Sequence, residues 1–281
     1  MSKSSIRHED HPFPEAPNLR CVGEQDKSGK LCKYKNMKDA EQWIREGKIT
    51  FVEPSAWNDP YEKLFYEADL KRELGINFSQ KVLAFCVTRN LSNEAAWVVY
   101  KYGKKCTSKD GLVVQMVISQ RKFREKLSEY VDKHPGVKLY EGCVEYRCTG
   151  TITRIRTVTD VFHKRYFHPT EDFNLVRFLS LLLIKRKAYD YEEEIRYFLT
   201  LDDESMCKKD KDGHLYYNLD IPFSECITKV VIDHEAQKDK AADITTFKQI
   251  CNEKGIKYTI HNLYNGIRGK NIFIKATIKS N

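Results

Sequence analysis

The sequence predicts a single α+β domain with a mixed, largely antiparallel sheet flanked by helices. Stretches of helical and strand periodicity follow one another irregularly, without the β-α repeat that builds a parallel sheet. Many of the expected strands are short, and no linker, internal repeat or low-complexity tract divides the chain. At 281 residues the chain can bury a substantial core. We therefore expect one domain over residues 31–281, preceded by an N-terminal tail or lead-in over residues 1–30.

The first half of the domain alternates between short strands and helices. Gly47 predicts the end of the first helix, because glycine readily adopts the left-handed backbone of a helix terminus. Ser119 is a typical N-cap of a later helix. The polar, turn-rich segment 54–62 predicts a loop. The expected elements are strands over 31–35, 49–52, 81–88 and 111–118 and helices over 39–46, 93–102 and 119–134.

The second half contains the most apolar stretch of the chain. Residues 171–187 predict the most apolar helix of the chain, which we expect to be the central one. A second helix, over 241–253, is expected to end at Gly255. The remaining expected elements are strands over 137–148, 191–201, 215–219, 227–233 and 256–261.

The composition is typical of a soluble globular protein, with 41% hydrophobic and 31% charged residues. The longest apolar run, over 178–184, is far too short to span a bilayer. No apolar stretch follows the charges of the N-terminus, so the sequence predicts no signal peptide. We therefore expect a cytoplasmic protein without membrane association.

The nine cysteines are scattered and include no C-x-x-C pair. Their number is odd, which argues against a disulfide framework, and the spacing argues against a zinc site. His163 and His168 are five residues apart and would not share a helix face. We expect buried, reduced thiols and no bound metal.

The net charge of +8 favours a polyanionic partner, either a nucleic acid or a phosphate-bearing small molecule. Basic residues cluster over 101–105, 121–124 and 185–187. A solvated basic surface is the alternative, because a modest excess of positive charge does not by itself indicate nucleic-acid binding.

Two carboxylates and a guanidinium share one face of an expected strand. Side chains alternate along a strand, so Glu192, Glu194 and Arg196 project together. An apolar stretch follows directly, which places the triplet on a rigid scaffold suited to a polar site. We expect Arg196 to pair with one glutamate and hold its side chain in place. A frayed strand end with solvated charges is the alternative.

Three further polar or aromatic clusters precede this triplet. Lys33 and Lys35 share a face of the first strand, on either side of Tyr34. The second cluster is a tight turn formed by Asn58, Asp59, Pro60, Tyr61 and Glu62. Such a turn is consistent with either a rigid loop or a ligand site. Trp97 and Tyr100 lie three apart on one helix face, as core residues or as a stacking platform. The P-loop, G-x-G-x-x-G, H-E-x-x-H and G-x-S-x-G signatures are absent.

The order of these motifs resembles a bacterial family catalogued as domain of unknown function 2971. Its members carry Lys-Tyr-Arg, Asn-Asp-Pro-Phe-Glu, Cys-Phe-Ser, Trp-x-x-Tyr-Ala and Tyr-Glu-x-Glu-x-Arg in the same sequence order. The resemblance covers roughly residues 31–265, and the two acidic motifs match well. The chain departs from the family pattern at Phe85-Cys86-Val87-Thr88 and at Lys101.

The arrangement also resembles, more distantly, the ADP-ribosyltransferase fold, which implies NAD as cofactor and a protein or nucleic acid as acceptor. The resemblance implies that Glu194 is the catalytic carboxylate, because the reaction passes through an oxocarbenium-like state. Glu192 would orient or deprotonate the acceptor, with Arg196 and Glu62 in support. The implied cofactor-binding residues are Lys33, Tyr34, Asn58, Asp59, Thr88, Trp97 and Tyr100. Such a protein would act as a bacterial toxin or anti-phage defence effector.

Two other functions remain open. The first is a non-catalytic module that binds a nucleotide or nucleic acid through a basic face. The second is a metal-dependent nuclease or hydrolase built on the carboxylates of Asp59, Glu62, Glu192 and Glu194.

Overall fold

The protein is described by a computed structural model that covers Phe13 and residues 15–22, 26–57, 59–67, 80–92, 94–102, 112–152, 173–233 and 241–261. The predicted fold class is confirmed, because helices flank a mixed, mostly antiparallel sheet. The strands are β1 (Leu19–Cys21), β2 (Lys30–Asn36), β3 (Lys48–Val52), β4 (Val82–Thr88), β5 (Val113–Ser119), β6 (Val137–Cys143), β7 (Glu145–Arg147), β8 (Ile184–Arg186), β9 (Glu194–Leu201), β10 (Lys208–Lys209), β11 (Leu215–Asp220), β12 (Ile227–Ile232) and β13 (Lys257–Ile260).

The helices expected over 39–46, 93–102, 119–134 and 241–253 begin and end within about two residues of those positions. Gly47 ends the first helix in the left-handed conformation, and the Ser119 side chain caps the helix that follows it, as predicted. The α-helices are α1 (Met37–Glu46), α2 (Pro60–Glu67), α3 (Glu94–Tyr102), α4 (Gln120–Lys133), α5 (Thr149–Ile152), α6 (Phe173–Leu181), α7 (Phe223–Cys226) and α8 (Ala241–Glu253). None of the helices in the described ranges is long and apolar enough to cross a membrane.

The main sheet has the strand order β1-β6-β9-β4-β2-β5-β12-β13, and β3 joins β4 while carrying β11 and β10. The β1–β6 and β12–β13 pairs are parallel, and the other pairs in this sheet are antiparallel. A separate parallel pair joins β7 to β8. The long β4 and β9 therefore lie inside the sheet, where their side chains are held by neighbours on both sides.

The two faces of the sheet follow from strand register. Cys32 lies opposite Thr88, and Thr88 lies opposite Glu194, so these three side chains share a face that we call face B. The alternate residues, such as Phe85, form face A, where the largest apolar cluster contains residues of α1, α4, α7 and α8. A second cluster on face B contains residues of α2 and α6.

The N-terminal lead-in predicted for residues 1–30 is wrong for its described part. Leu19–Cys21 is an edge strand of the sheet, and Phe13, Ala16 and Leu19 are fully buried. Beyond the strand, the Val22 amide donates to the Glu141 carbonyl at 2.8 Å. The prolines and charges of this segment concealed a short strand, because three residues cannot show a clear period.

Three predicted boundaries were also wrong. The helix expected over 171–187 ends at Leu181, and the basic residues at its end form β8. The segment 54–62, expected to be a loop, contains the first turn of α2, which starts at Pro60. The strand expected over 191–201 begins at Glu194, because Lys187–Glu192 is a 3-10 helix and Glu193 adopts the left-handed backbone with φ 42°.

Candidate functional site

Glu194 and Arg196 occupy the start of β9 and point to face B. The guanidinium meets the carboxylate with two bonds, Nε to Oε1 at 3.0 Å and Nη2 to Oε2 at 3.1 Å. The predicted pairing of Arg196 with a glutamate is therefore present. Arg196 also donates through Nη1 to the Leu182 carbonyl and through Nη2 to the Glu62 carboxylate. Its side chain is 1% exposed, and each of its three guanidinium nitrogens bonds to an acceptor within the protein.

Lys185 joins this pair to a second glutamate. It lies on β8, and its ammonium is 2.6 Å from Oε2 of Glu192, 2.9 Å from Oε2 of Glu194 and 3.5 Å from Oε1 of Glu62. Three carboxylates thus surround one ammonium, and two cations face three anions in the group. We call Glu62, Lys185, Glu192, Glu194 and Arg196 the ion cluster.

The two glutamates of the motif differ in their access to solvent. The side chain of Glu194 is 8% exposed, whereas that of Glu192 is 29% exposed. Glu192 does not lie on the strand, so the alternation that predicted its position does not apply. Its carboxylate nevertheless reaches the same ammonium as Glu194. Glu192 is therefore the member of the ion cluster that an incoming molecule can contact.

The environments of the two glutamates also move their pKa values apart. Burial alone would raise the pKa of Glu194, but the charges of Arg196 and Lys185 outweigh it and hold that pKa well below its usual range. Burial raises the pKa of Glu192, and the negative charge of Glu194 adds to the rise while Lys185 opposes it. A pair of carboxylates separated in this way can perform two different roles in one reaction.

The Asn-Asp-Pro element begins α2 and directs it toward the ion cluster. Oδ1 of Asp59 accepts the Tyr61 amide at 3.0 Å, as an N-terminal capping group does, and Pro60 occupies the first helical position. Oδ2 of Asp59 accepts Nε of Arg186 at 3.0 Å. One turn further along, Glu62 reaches the ion cluster. Asn58 lies outside the described residues.

Aromatic rings border the charged groups. The Trp57 ring centre is 4.1 Å from Cζ of Arg196, which shields the guanidinium by a cation–π contact. Arg186 has the rings of Tyr61 and Tyr189 at 5.0 Å each. Tyr61 and Tyr189 are both partly exposed, so this part of the site offers aromatic surface around Arg186.

Backbone contacts hold the start of β9 in place. The Glu194 amide donates to the Tyr146 hydroxyl at 2.8 Å. Thr88 donates its hydroxyl to the Glu192 carbonyl and accepts the Asn90 amide at 3.0 Å. The hydroxyl predicted to bind a cofactor is thus engaged in anchoring the segment that carries Glu192.

The structure does not bring Lys33 together with the ion cluster on one face. Lys33 lies on face A, where its ammonium is 5.2 Å from the Phe85 ring centre, and it donates to the Cys86 carbonyl at 2.5 Å. Burial lowers its pKa. The alternation that makes Lys33 and Lys35 neighbours puts them on the opposite side of the sheet from Glu194. Lys35 instead pairs with Asp39 at 3.1 Å.

Tyr34 and Trp97 form a separate buried cluster. Their rings meet edge to face at 5.2 Å, and Trp97 stacks on His261 at 4.8 Å. The Tyr34 hydroxyl accepts Nε2 of Gln115 at 2.8 Å. Tyr34 is 1% and Trp97 is 7% exposed, so both pack as core residues on face B. The side chain of Tyr100 lies outside the described part of the chain.

Sequence reasoning missed Lys185, Arg186, Trp57 and Tyr146. Residues 185–187 form a basic cluster for which the sequence favours a polyanionic partner and leaves a solvated surface as the alternative, but Lys185 and Arg186 pair internally. Lys185 and Arg186 directly follow an apolar run in the sequence. This position could have indicated that both side chains are at least partly buried and therefore need a carboxylate partner.

Part of the basic cluster over 121–124 is also paired within the protein. Arg124 is 7% exposed and meets Glu141 through Nε at 2.8 Å and Nη2 at 2.6 Å. The cluster therefore offers a polyanion fewer charges than its sequence indicates. The basic side chains over 101–105 lie outside the described residues.

Within the described ranges, no group of three or more His, Cys, Asp or Glu side chains is arranged to hold a metal ion. The carboxylates that the hydrolase hypothesis uses each bond to a lysine or arginine: Asp59, Glu62, Glu192 and Glu194. The described cysteines form no disulfide with one another. Burial raises the pKa of Cys32 and of Cys226 to about 12, as expected for inert thiols.

No protein-family model matches this chain, and no curated protein sequence matches it. The resemblances in motif order therefore stay predictions. The geometry of the ion cluster is the observation that bears on function.

Proposed function

We propose that the protein is an NAD-dependent ADP-ribosyltransferase-like enzyme that acts on a protein or nucleic acid through Glu192 and Glu194. The observation that carries this proposal is the pair of carboxylates bound to one ammonium in opposite environments. Glu194 is buried and held ionised, whereas Glu192 is partly exposed with a raised pKa. Such a division suits a reaction that needs one fixed negative charge and one proton acceptor.

Glu194 supplies the fixed charge. Cleavage of the nicotinamide–ribose bond develops positive charge on the ribose, and a preorganised negative group lowers that barrier. The ion cluster has three carboxylates, one of them Glu192, against two cations, so the charges of Glu62 and Glu194 are matched by Lys185 and Arg196 and the negative charge in excess is that of Glu192. The oxygens of Glu194 are bonded to Arg196 and Lys185, so Glu194 stabilises the developing positive charge through its electrostatic field and not by direct contact. Glu192 takes the substrate-facing position.

Glu192 is the proposed proton acceptor. The C1′–nitrogen bond of NAD breaks, and its electron pair leaves with nicotinamide. A lone pair on the acceptor then bonds to C1′, and the acceptor's proton passes to the Glu192 carboxylate. The partly exposed rings of Tyr61 and Tyr189 are suited to the planar nicotinamide or adenine of this substrate. Arg186 between them pairs with Asp59 through Nε but is 27% exposed, so its guanidinium can still meet a phosphate.

The test uses the full chain with NAD labelled in its ADP-ribose part, incubated with cell lysate. Release of nicotinamide and transfer of label to protein or nucleic acid are measured for the wild type and for Glu192→Gln. We expect the variant to lose about 100-fold or more in rate. Glu193→Gln is the matched control, because Glu193 lies between the two residues but pairs with Arg89 on the surface.

Absence of nicotinamide release in every lysate fraction overturns the proposal, as does full activity in Glu192→Gln. Binding of NAD or nucleic acid without turnover would support the non-catalytic module instead. The further role as a cytoplasmic toxin or anti-phage effector rests on the resemblance in motif order alone. It predicts that expression of the wild type slows bacterial growth and that Glu192→Gln removes this effect.

A further inference from the structure

We propose that Lys185 is the positioning residue of this site, which holds the Glu192 carboxylate in its working orientation and couples it to the buried part of the ion cluster. This inference rests on the proposed function. Lys185 is 9% exposed and reaches Glu192 at 2.6 Å, Glu194 at 2.9 Å and Glu62 at 3.5 Å. It is thus the point at which the exposed and buried carboxylates meet.

The remaining contacts leave the Glu192 side chain dependent on Lys185. Among the described residues, Lys185 is the cation that pairs with Glu192, whereas Glu194 and Glu62 also bind Arg196. Thr88 fixes the backbone of Glu192 through its carbonyl and does not fix the carboxylate. Loss of Lys185 would therefore free Glu192 while leaving the Glu194–Arg196 pair in place.

A lysine suits this position better than an arginine. An ammonium has three donors that point to separate acceptors around one atom, and three carboxylates surround it here. An arginine presents a planar fork that favours one or two carboxylates. The Tyr189 ring centre also lies 5.1 Å from the ammonium, which adds a cation–π contact. Lys185→Arg thus keeps the charge but changes the geometry.

The charge on Glu192 depends on groups from several elements. Lys185 favours its ionised form, and the negative charges of Glu62 and Glu194 oppose it. The titratable and charged groups that interact with Glu192 are Lys33 on β2, Glu62 on α2, Tyr146 on β7, Lys185 on β8, Tyr191 in the adjacent 3-10 helix, and Glu194 on β9. Without the Lys185 charge, the two nearby carboxylates would make Glu192 bind its proton more tightly.

The first experiment measures this coupling without any activity. Glu192 is titrated by carbon-13 NMR of glutamate side-chain carboxyls, with Glu192→Gln used to assign its signal. We expect Lys185→Met to move the Glu192 midpoint upward by about one pH unit or more. Lys187→Met, an exposed neighbour, is the control and should leave the midpoint unchanged. An unchanged midpoint in folded Lys185→Met overturns the proposal.

The second experiment measures nicotinamide release as a function of pH. We expect kcat of Lys185→Met and of Lys185→Arg to fall by about 10- to 100-fold, because a misplaced group loses most of its effect. The acid limb of the Lys185→Met profile should move to higher pH, and KM for NAD should change little. If Lys185→Met does not fold, Lys185→Arg alone decides, and wild-type kcat in that variant overturns the proposal.

The two proposals fail in different ways. A wild type that releases no nicotinamide overturns the proposed function, while the NMR titration still measures whether Lys185 controls Glu192. An active wild type whose pH profile and kcat do not respond to substitution of Lys185 overturns the positioning role only.

Discussion

Glu194 and Arg196 lie two residues apart on β9 and form a bidentate ion pair, with Nε to Oε1 at 3.0 Å and Nη2 to Oε2 at 3.1 Å. Side chains along a strand alternate with a period of two residues, so both lie on the same face of the sheet, and burial removes them from water. A buried pair repays its desolvation only when the remaining donors are also bonded. Arg196 meets that requirement through the Leu182 carbonyl and Glu62.

Arg196→Met should lower the free energy of unfolding by about 3–5 kcal/mol, because it leaves the single charge of Lys185 to balance the buried carboxylates of Glu194 and Glu62. The measurement is urea denaturation followed by circular dichroism. The double variant with Glu194→Gln should lose less than the sum of the two single variants, because the second change removes one of the two buried carboxylates that Lys185 alone would have to balance. A loss below about 1 kcal/mol in Arg196→Met would show that the pair is solvated.

Stability should fall in acid through protonation of Glu194. The folded pKa of Glu194 is held below its unfolded value of about 4.3, so the unfolded state binds more protons between those two values. The contribution of Glu194 is therefore complete above about pH 5 and is lost as the pH falls toward the folded pKa.

Urea denaturation between pH 3 and 7 checks this expectation, with Glu194→Gln as the reference. The stability difference between wild type and variant should shrink as the pH falls. Glu192 contributes in the opposite direction, because its raised pKa makes the folded state the better proton acceptor. Because the charge of Glu194 itself raises the pKa of Glu192, the wild type and Glu194→Gln are compared with Glu192→Gln present in both, which removes that contribution. A difference that stays constant or grows in acid contradicts the prediction.

Among the described non-glycine residues, Glu193 is the one with a positive φ, at 42°. Asparagine tolerates this left-handed backbone, and a β-branched residue does not. Glu193→Val should therefore be less stable than Glu193→Asn by about 1–2 kcal/mol, as measured by thermal unfolding. Both variants lose the exposed pair with Arg89, so that loss cancels in the comparison. Equal stability of the two would mean that the segment adopts another backbone.

Gly142 on β6 allows the N-terminal segment to approach the sheet. A Cβ at this position would lie 2.1 Å from the Val22 carbonyl oxygen and 2.6 Å from Cδ1 of Leu183. Gly142→Ala should cost about 1–3 kcal/mol or more, because the backbone must move to admit the methyl group. Gly136→Ala is the control, since its nearest contact would be Asp202 Cβ at 3.9 Å. Equal unfolding midpoints for the two variants would contradict this packing.

The candidate site could be predicted only in part. Glu194 and Arg196 were found because a strand period places them together, and that period depends on local backbone geometry alone. The same rule correctly puts Lys33 and Lys35 on one face of β2, but it says which residues share a face of one strand and not whether that face is the one on which Glu194 lies. Lys185 was missed because its partners lie in α2, the 3-10 helix and β9, and no local pattern joins those elements.

By itself, the sequence determined the α+β class, most helix and strand positions, and the facing of Glu194 and Arg196. Each of these follows from short-range periodicity and from caps such as Ser119 and Gly47. The tertiary structure alone decided that β8 brings Lys185 among three carboxylates and that Glu192 remains the exposed member. Those outcomes depend on desolvation and charge pairing between segments far apart in the chain, and such interactions exist only after the sheet has formed.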